Sequence, residues 1–345
     1  MAATFDQITS DLKKKIYKPI YFLMGEESYY IDKITNYIEN NVLPEDERAF
    51  NQTILYGKDI DLATLLNTAR RFPMMSNYNI VILKEAQHLK GIDGGSTSDK
   101  KADPFLLYVE KPLQSTILVI NYKGKTLDKR KKLYKILDKN AVLLDSKRLY
   151  ENQVGAWIIK YLKSQEYSID IKASELMASH LGNNLSSIVQ EIEKLTLVVP
   201  KGNQIILKDI EDNIGISKDF NIFELQSAIG KRDIYKANLI ITHLGQNPKT
   251  KSIIPVISFL YSFFTKLLII HASSDKSKQG LASLIGVNPY FMNDYLEAAR
   301  NFNKAKCIHV IRFLREYDAK SKGIDSPPID DLDLMRELIY KILHI

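Results

Sequence analysis

Four short apolar runs constrain this chain more than any other feature: IYFLM at residues 20–24, NIVIL at 79–83, TILVI at 116–120 and AVLL at 141–144. Each has the length of a strand, and none alternates with polar residues. A strand with one wet face alternates, whereas an unbroken apolar run is covered on both faces, as in a parallel sheet lying between helices. The segments between the runs supply those helices. Phe5, Ile8, Leu12 and Ile16 fall on one helical face, with Thr4 available as N-cap. Leu62, Leu65, Leu66 and Ala69 form another such face, and residues 51–56 are a shorter strand candidate.

After about residue 148 the strand signal stops. Helical spacing then predicts helices over 151–164, 171–181 and 185–198, a connector around 200–218, and several more helices to the end. The expected organisation is an α/β domain over 1–148, a small helical unit over 149–216 and a larger helical unit over 217–345. The second boundary falls in NIGISKDFN at 213–221. A chain of 345 residues has room for two or three cores. SHLGNN at 179–184 and THLGQN at 242–247 read as helix endings, with a His in the last turn and a left-handed Gly after it. GIDGGSTSDK at 91–100 reads as an exposed loop.

Hydrophobic residues make up 45% of the chain and charged residues 26%, which is ordinary for a globular protein. The net charge of +7 suits an anionic partner such as nucleic acid without identifying one. The single cysteine, Cys307, excludes an intrachain disulfide and a Cys-based zinc site, and fits a reducing compartment such as the cytoplasm. It sits in the helical pattern NKAKCIHVIRFL and reads as a buried thiol rather than a nucleophile. The first residues lack the apolar core of a signal peptide. The segment IIPVISFLYSFFTKLLIIH, 253–271, approaches membrane-spanning length. Pro255, Thr265 and Lys266 interrupt it, so it reads as a buried helix.

The first apolar run ends in Gly25, and a helix follows, which is where a phosphate-binding loop would sit. A working loop reads G-x-x-x-x-G-K-[ST], with bare backbone for the phosphates, a Lys for charge and a hydroxyl for Mg²⁺. Counted from Gly25, those last three positions are Tyr30, Ile31 and Asp32. Glu26 and Glu27 would add two negative charges and read better as acids facing a helix dipole. The run at 79–83 has the shape of the strand that ends in a Mg²⁺-organising Asp, but Lys84 and Glu85 follow it, and a cation repels the metal. The six histidines form no H-E-x-x-H, and no G-x-S-x-G is present. Asp330, Asp331 and Asp333 follow two prolines and read as caps of the last helix. No catalytic or metal site emerges, and the expected cofactor set is empty.

Two surface features remain. The helix near Asp59 ends at Arg70-Arg71 and runs into FPMMSNYN before the strand at 79. Helix-to-strand connections are usually polar, so Phe72, Met74 and Met75 around Pro73 are out of place. Either they fold back to fill a gap in the core, which composition alone favours, or they project as a patch for a partner. In YKGKTLDKRKKLYKIL, 122–137, Lys129, Arg130, Lys131, Lys132 and Lys135 concentrate charge on one short helix, with Leu133, Ile136 and Leu137 inward. A solvated face is the plainer reading, and contact with a DNA backbone the alternative.

Taken together, KPIYFLMGEESYYIDKI, FPMMSNYNIVILKEA, SSIVQEIEKL, FNIFELQSAIGKRDIYKA and LASLIGVNPYFMNDYLEAAR, in this order, resemble the delta subunit family of bacterial DNA polymerase III. The resemblance spans nearly the whole chain. It implies an AAA+-like first domain without ATPase activity, a small helical second domain and a helical collar that assembles with neighbouring subunits. It also implies that an apolar pair, here Met74 and Met75 with Phe72 and Pro73 beside it, enters a pocket on the sliding clamp (the beta subunit) and favours an open ring. The implied partners are that clamp, the gamma/tau motor subunits, delta-prime and primed DNA. The implied activity is that of the holoenzyme, a DNA-directed DNA polymerase. The alternatives are a divergent nucleotide-dependent enzyme or a nucleic-acid-binding structural subunit.

Overall fold

Residues 3–94, 103–214, 222–246, 251–324, 327 and 329–345 are described by a computed structural model. Most of the Gly/Ser loop at 91–100 and the second boundary at 215–221 lie outside the described residues, as do Asn247 and Pro328. Two compact units divide between Tyr150 and Glu151.

The first unit runs α1 (Phe5–Lys13), β1 (Ile20–Gly25), α2 (Ser28–Asn41), α3 (Glu45–Asn51), β2 (Gln52–Tyr56), α4 (Leu62–Ala69), β3 (Asn79–Lys84), α5 (Pro104–Glu110), β4 (Thr116–Lys123), α6 (Lys132–Asn140) and β5 (Val142–Ser146). The five strands are parallel, in the order β2-β3-β4-β1-β5. The unbroken apolar runs have the predicted cause. Along β1, Ile20, Phe22 and Met24 pack with Leu65, Leu66, Phe105, Leu133 and Leu137 from α4, α5 and α6. Tyr21 and Leu23 point the other way, toward Ile8, Leu12, Ile31, Ile34 and Ile38 of α1 and α2. Both faces are therefore dry, and shifting a strand by one residue would still bury apolar side chains. Helix caps and connections set the register instead.

Thr4 caps α1 in a capping box with Gln7. The expected apolar face stops short of Ile16. The helix ends at Lys13, Lys15 takes a positive φ, and Ile16 is exposed. The helix α3 was not expected from the sequence, because EDERAFN carries no apolar period.

Among the described residues the second unit is helical apart from one two-strand pair: α7 (Glu151–Ser164), β6 (Ser168–Ile169), α8 (Ile171–Leu181), α9 (Leu185–Val198), β7 (Gln204–Ile205), α10 (Leu207–Ile214), α11 (Ile222–Lys231), α12 (Ile234–Gln246), α13 (Ile253–Ala272), α14 (Lys278–Ile285), α15 (Met292–Asn301), α16 (Lys304–Ser321) and α17 (Asp331–Leu343). The strand signal thus does not vanish entirely after 148, since Ser168–Ile169 pairs in parallel with Gln204–Ile205. At 20 residues α13 is long and apolar enough to cross a membrane by length and composition. It instead sends Ile253, Val256, Leu260, Phe264, Leu267 and Ile270 into the core of the unit. The two His-Leu-Gly fragments have different structures. Gly182 ends α8 with a positive φ, but its ψ of −148° takes it out of the left-handed helical region expected, and Gly245 lies inside α12. A Cβ on Gly245 would collide with Leu332 of α17, so this glycine serves close helix packing rather than termination. Of the three acidic residues expected to cap the last helix, Asp330 does so, whereas Asp331 serves α13 and Asp333 pairs with Arg336 at 3.6 Å. Asp330 accepts from the Leu332 N–H, and Asp331 accepts from the N–H of Ile253 at the start of α13.

Cys307 is fully buried, its thiol donating to the Phe302 carbonyl at 3.4 Å, and burial pushes its pKa up to about 11. The fold therefore favours the protonated thiol. That contribution is complete below the unfolded value of about 8.5 and is lost as pH rises toward the folded one. Aromatic disulfide reagents at pH 8 should label the native chain at least about 100-fold more slowly than the urea-unfolded chain. Rapid native labelling would contradict the burial of this thiol.

Candidate functional site

The sheet offers two places where function could reside, one at each end of its strands. At the carboxyl ends lies the loop after β1. Gly25 has a φ of 127°, and a Cβ there would collide with the Ser146 carbonyl of β5. The backbone donors of this loop are already engaged. Gly25 N–H donates to the Lys125 carbonyl at 3.1 Å, and Glu26 and Glu27 N–H both donate to the Ser146 carbonyl, at 2.9 and 3.3 Å. The Ser146 hydroxyl donates to the carbonyls of Met24 and Glu27. Glu27 is buried and caps α2 by accepting from the Tyr29 N–H at 3.0 Å. Desolvation raises its pKa, with that hydrogen bond and Arg148 acting in the opposite direction.

The side chains past this loop are also committed. Ile31 is fully buried among the α1 and α2 residues, and Tyr30 packs its ring 4.7 Å from that of Phe5. Asp32 pairs with Lys123 of β4. Across the sheet Lys84 pairs with Glu39 of α2 at 3.4 Å, and Glu85, in the left-handed region, pairs with Lys58 at 3.5 Å. The basic segment behaves similarly. Lys129 and Arg130 precede α6 rather than lying on it, and they pair with Asp145 and Asp128. Lys131 immediately precedes the helix without a side-chain capping bond, and its Nζ donates to the Asp93 carbonyl at 3.3 Å. The expected single charged helix is thus a paired loop followed by Lys132 and Lys135 on an exposed face, with Leu133 and Leu137 buried beneath. The Arg130 guanidinium holds the Asp128 carboxyl down at about 2, so this pair stays charged at neutral pH.

The amino ends of the strands present the opposite situation. Phe72 is 75% exposed, Met74 64% and Met75 102%. The projecting reading replaces the fold-back that composition favoured. The reason is that polar groups beneath the loop hold its backbone while its side chains face water. Asn51, the last residue of α3, is 2% exposed. Its Oδ1 accepts from the Met74 N–H at 2.6 Å, and its Nδ2 donates to the Met74 carbonyl at 2.9 Å and to the Glu47 carbonyl at 3.1 Å. Asn79 is buried as well and donates to the carbonyls of Thr68 and Arg71, while Tyr108 donates to that of Ala69. The last carbonyls of α4 are thereby satisfied, and the chain turns outward at Pro73. Met75 takes a φ of 52°, a left-handed conformation unusual for a long side chain. Nothing in the residues around Asn51 signals this role, which depends on a backbone 23 positions away. Among the described residues no cluster of three or more His, Cys, Asp or Glu side chains is placed to hold a metal ion.

Comparison with known proteins identifies the family. Residues 21–147 match the family described as DNA polymerase III, delta subunit, and residues 219–328 match the C-terminal domain of the same subunit. The chain belongs to the DNA polymerase III delta subunit family. The DNA polymerase III subunit delta of Bacillus subtilis (strain 168) is 25% identical over 334 residues, spanning 96% of both chains. The solved Bacillus subtilis DNA clamp loader delta protein shares the fold, with a TM-score of 0.59 and 24% identity over 99% of this chain and 100% of that one. A parallel α/β domain followed by helices is the architecture of this delta family member.

The Asn51 carboxamide carries a direct stability prediction. Asn51→Ala leaves the Met74 N–H and carbonyl without their partners and should cost about 1–3 kcal/mol in urea unfolding. Asn51→Asp keeps the acceptor but turns a carboxylate toward two carbonyls, and should cost at least as much. An unchanged midpoint for both variants would contradict the mount described here.

Proposed function

We propose that this chain is the subunit of a bacterial clamp loader that grips the sliding clamp and opens the ring for loading onto primed DNA, with no ATP hydrolysis of its own. The observation that carries this reading is the pair Met74 and Met75, both exposed to solvent on a backbone clamped by Asn51. Methionine is unbranched and polarizable, so it adapts to an apolar pocket at low cost. Burying each side chain contributes about 1.5–3 kcal/mol. Phe72 and Pro73 flank the pair and complete the docking tip.

Ring opening then needs no chemistry at this site. If the tip binds the open ring better than the closed one, the difference in affinity shifts the ring toward opening. The rest of the first domain acts as a rigid mount. At Gly25 the donors that would cradle a phosphate are taken by Lys125 and Ser146, and Tyr30, Ile31, Asp32, Lys84 and Glu85 are held by packing or ion pairs. ATP is therefore the business of the neighbouring motor subunits, gamma/tau, with delta-prime completing the assembly. In this reading residues 1–148 bind the clamp, 149–216 form a lid-like helical unit and 217–345 form the collar, all in the bacterial cytoplasm.

Met74→Ala together with Met75→Ala should abolish co-elution of the full chain with its cognate clamp while leaving the circular dichroism spectrum unchanged. Calorimetric titration of the isolated chain with Mg²⁺-ATP should give no saturable heat. Retained clamp binding by the double variant would overturn the site, and saturable ATP binding would favour a nucleotide-dependent enzyme.

A further inference from the structure

The residue before Asn51 is also conspicuous. Phe50 is 73% exposed, on the last turn of α3, and no packing role accounts for a large aromatic side chain in water. Its position relative to the tip is fixed by two independent features. Asn51 hydrogen-bonds both backbone groups of Met74, which brings the Cα atoms of Phe50 and Met74 within about 10 Å of each other. In the sheet Gln52 is opposite Ile80, so Phe50 precedes Gln52 by the same two residues as Tyr78, at the end of the tip loop, precedes Ile80. Phe50 and the tip thus emerge together at the amino edge of two paired strands.

Resting on the clamp-binding reading above, we propose that Phe50 is a second anchor of the same docking surface, so that the sliding clamp is held by two limbs. One limb is the flexible Met74–Met75 pair, and the other is a stiff aromatic ring on a helix end. The occupant is the clamp rather than another subunit because Phe50 is continuous with the tip through Asn51. A partner that buries Met74 must approach the α3 corner as well. The two limbs divide the work by chemistry. Methionines adapt to a pocket, whereas a ring with two torsions loses little entropy on burial and makes a strong central anchor. The clamp surface facing Phe50 must accordingly offer an apolar recess. Two contacts held at a fixed spacing also sense the shape of the ring surface between them, which a single tip does not.

The test measures clamp affinity of the full chain by surface plasmon resonance for Phe50→Ala, for the Met74→Ala and Met75→Ala double variant, and for Tyr235→Ala. Tyr235 is an 80% exposed aromatic in the second unit and serves as control. Phe50→Ala should weaken binding at least about 10-fold, the expectation for an aromatic anchor, and Tyr235→Ala should not change it. Wild-type affinity of Phe50→Ala beside a loss in the double variant overturns the second anchor and leaves the clamp reading standing. Wild-type affinity of both sinks the clamp reading itself. A second measurement is independent of how the alanine variant folds. Benzoylphenylalanine at position 50 should photo-crosslink to the clamp, and the same group at 235 should not. Absence of the crosslink at 50 in a chain that still binds the clamp also overturns the proposal.

Discussion

The presentation of the tip depends on the buried carboxamide beneath Met74, with that of Asn79 holding the Arg71 carbonyl behind it. Asn51 satisfies the N–H and the carbonyl of Met74 at once, and ties both to the last turn of α3 through the Glu47 carbonyl. A loop left to itself would minimise exposure by laying Phe72, Met74 and Met75 on the nearest apolar surface. With its polar backbone fixed from beneath, the loop has its hydrogen bonds made while its side chains stay in water. A buried polar group with all its bonds made is stiff, because every alternative arrangement leaves one of them unmade. The same bonds tie the last turn of α3, and with it the backbone of Phe50, to the tip.

Strand β3 connects the two ends of the first domain. At its carboxyl end Lys84 faces the place where a nucleotide would be handled, and at its amino end the tip emerges, about 20 Å away at the usual rise per residue. The carboxyl end carries ion pairs, Asp32 with Lys123, Glu39 with Lys84 and Asp145 with Lys129. Each is partly exposed, so each adds little stability by itself. Their consequence is that charge at this edge is met by charge of the same chain. The amino end is uncharged at its tip and wet. One sheet thus separates a chemically quiet edge from a sticky one.

The sheet was legible in the sequence because burial on both faces leaves an unbroken apolar signature, and β1, β3, β4 and β5 fall where those runs lie. The helices α7, α8 and α9 were equally legible from their period. What escaped were features whose cause is distant along the chain. Asn51 reads as the start of a strand, yet it ends a helix and serves Met74. Gly245 reads as a helix stop, yet it makes room for Leu332 of α17. Lys129 and Arg130 read as one basic helix face, yet local carboxylates claim them in a loop. The exposure of the tip was open at the sequence level, since composition records that a residue is apolar but not which backbone groups hold it.

Hydrogen–deuterium exchange of the full chain, with and without its cognate clamp, tests the account most directly. The clamp should protect backbone amides at residues 47–51 and 72–78, and Mg²⁺-ATP added to the chain alone should change nothing at residues 25–32 or 84–85. Protection of 25–32 by nucleotide, or a clamp complex in which 72–78 exchanges as in the free chain, would contradict it.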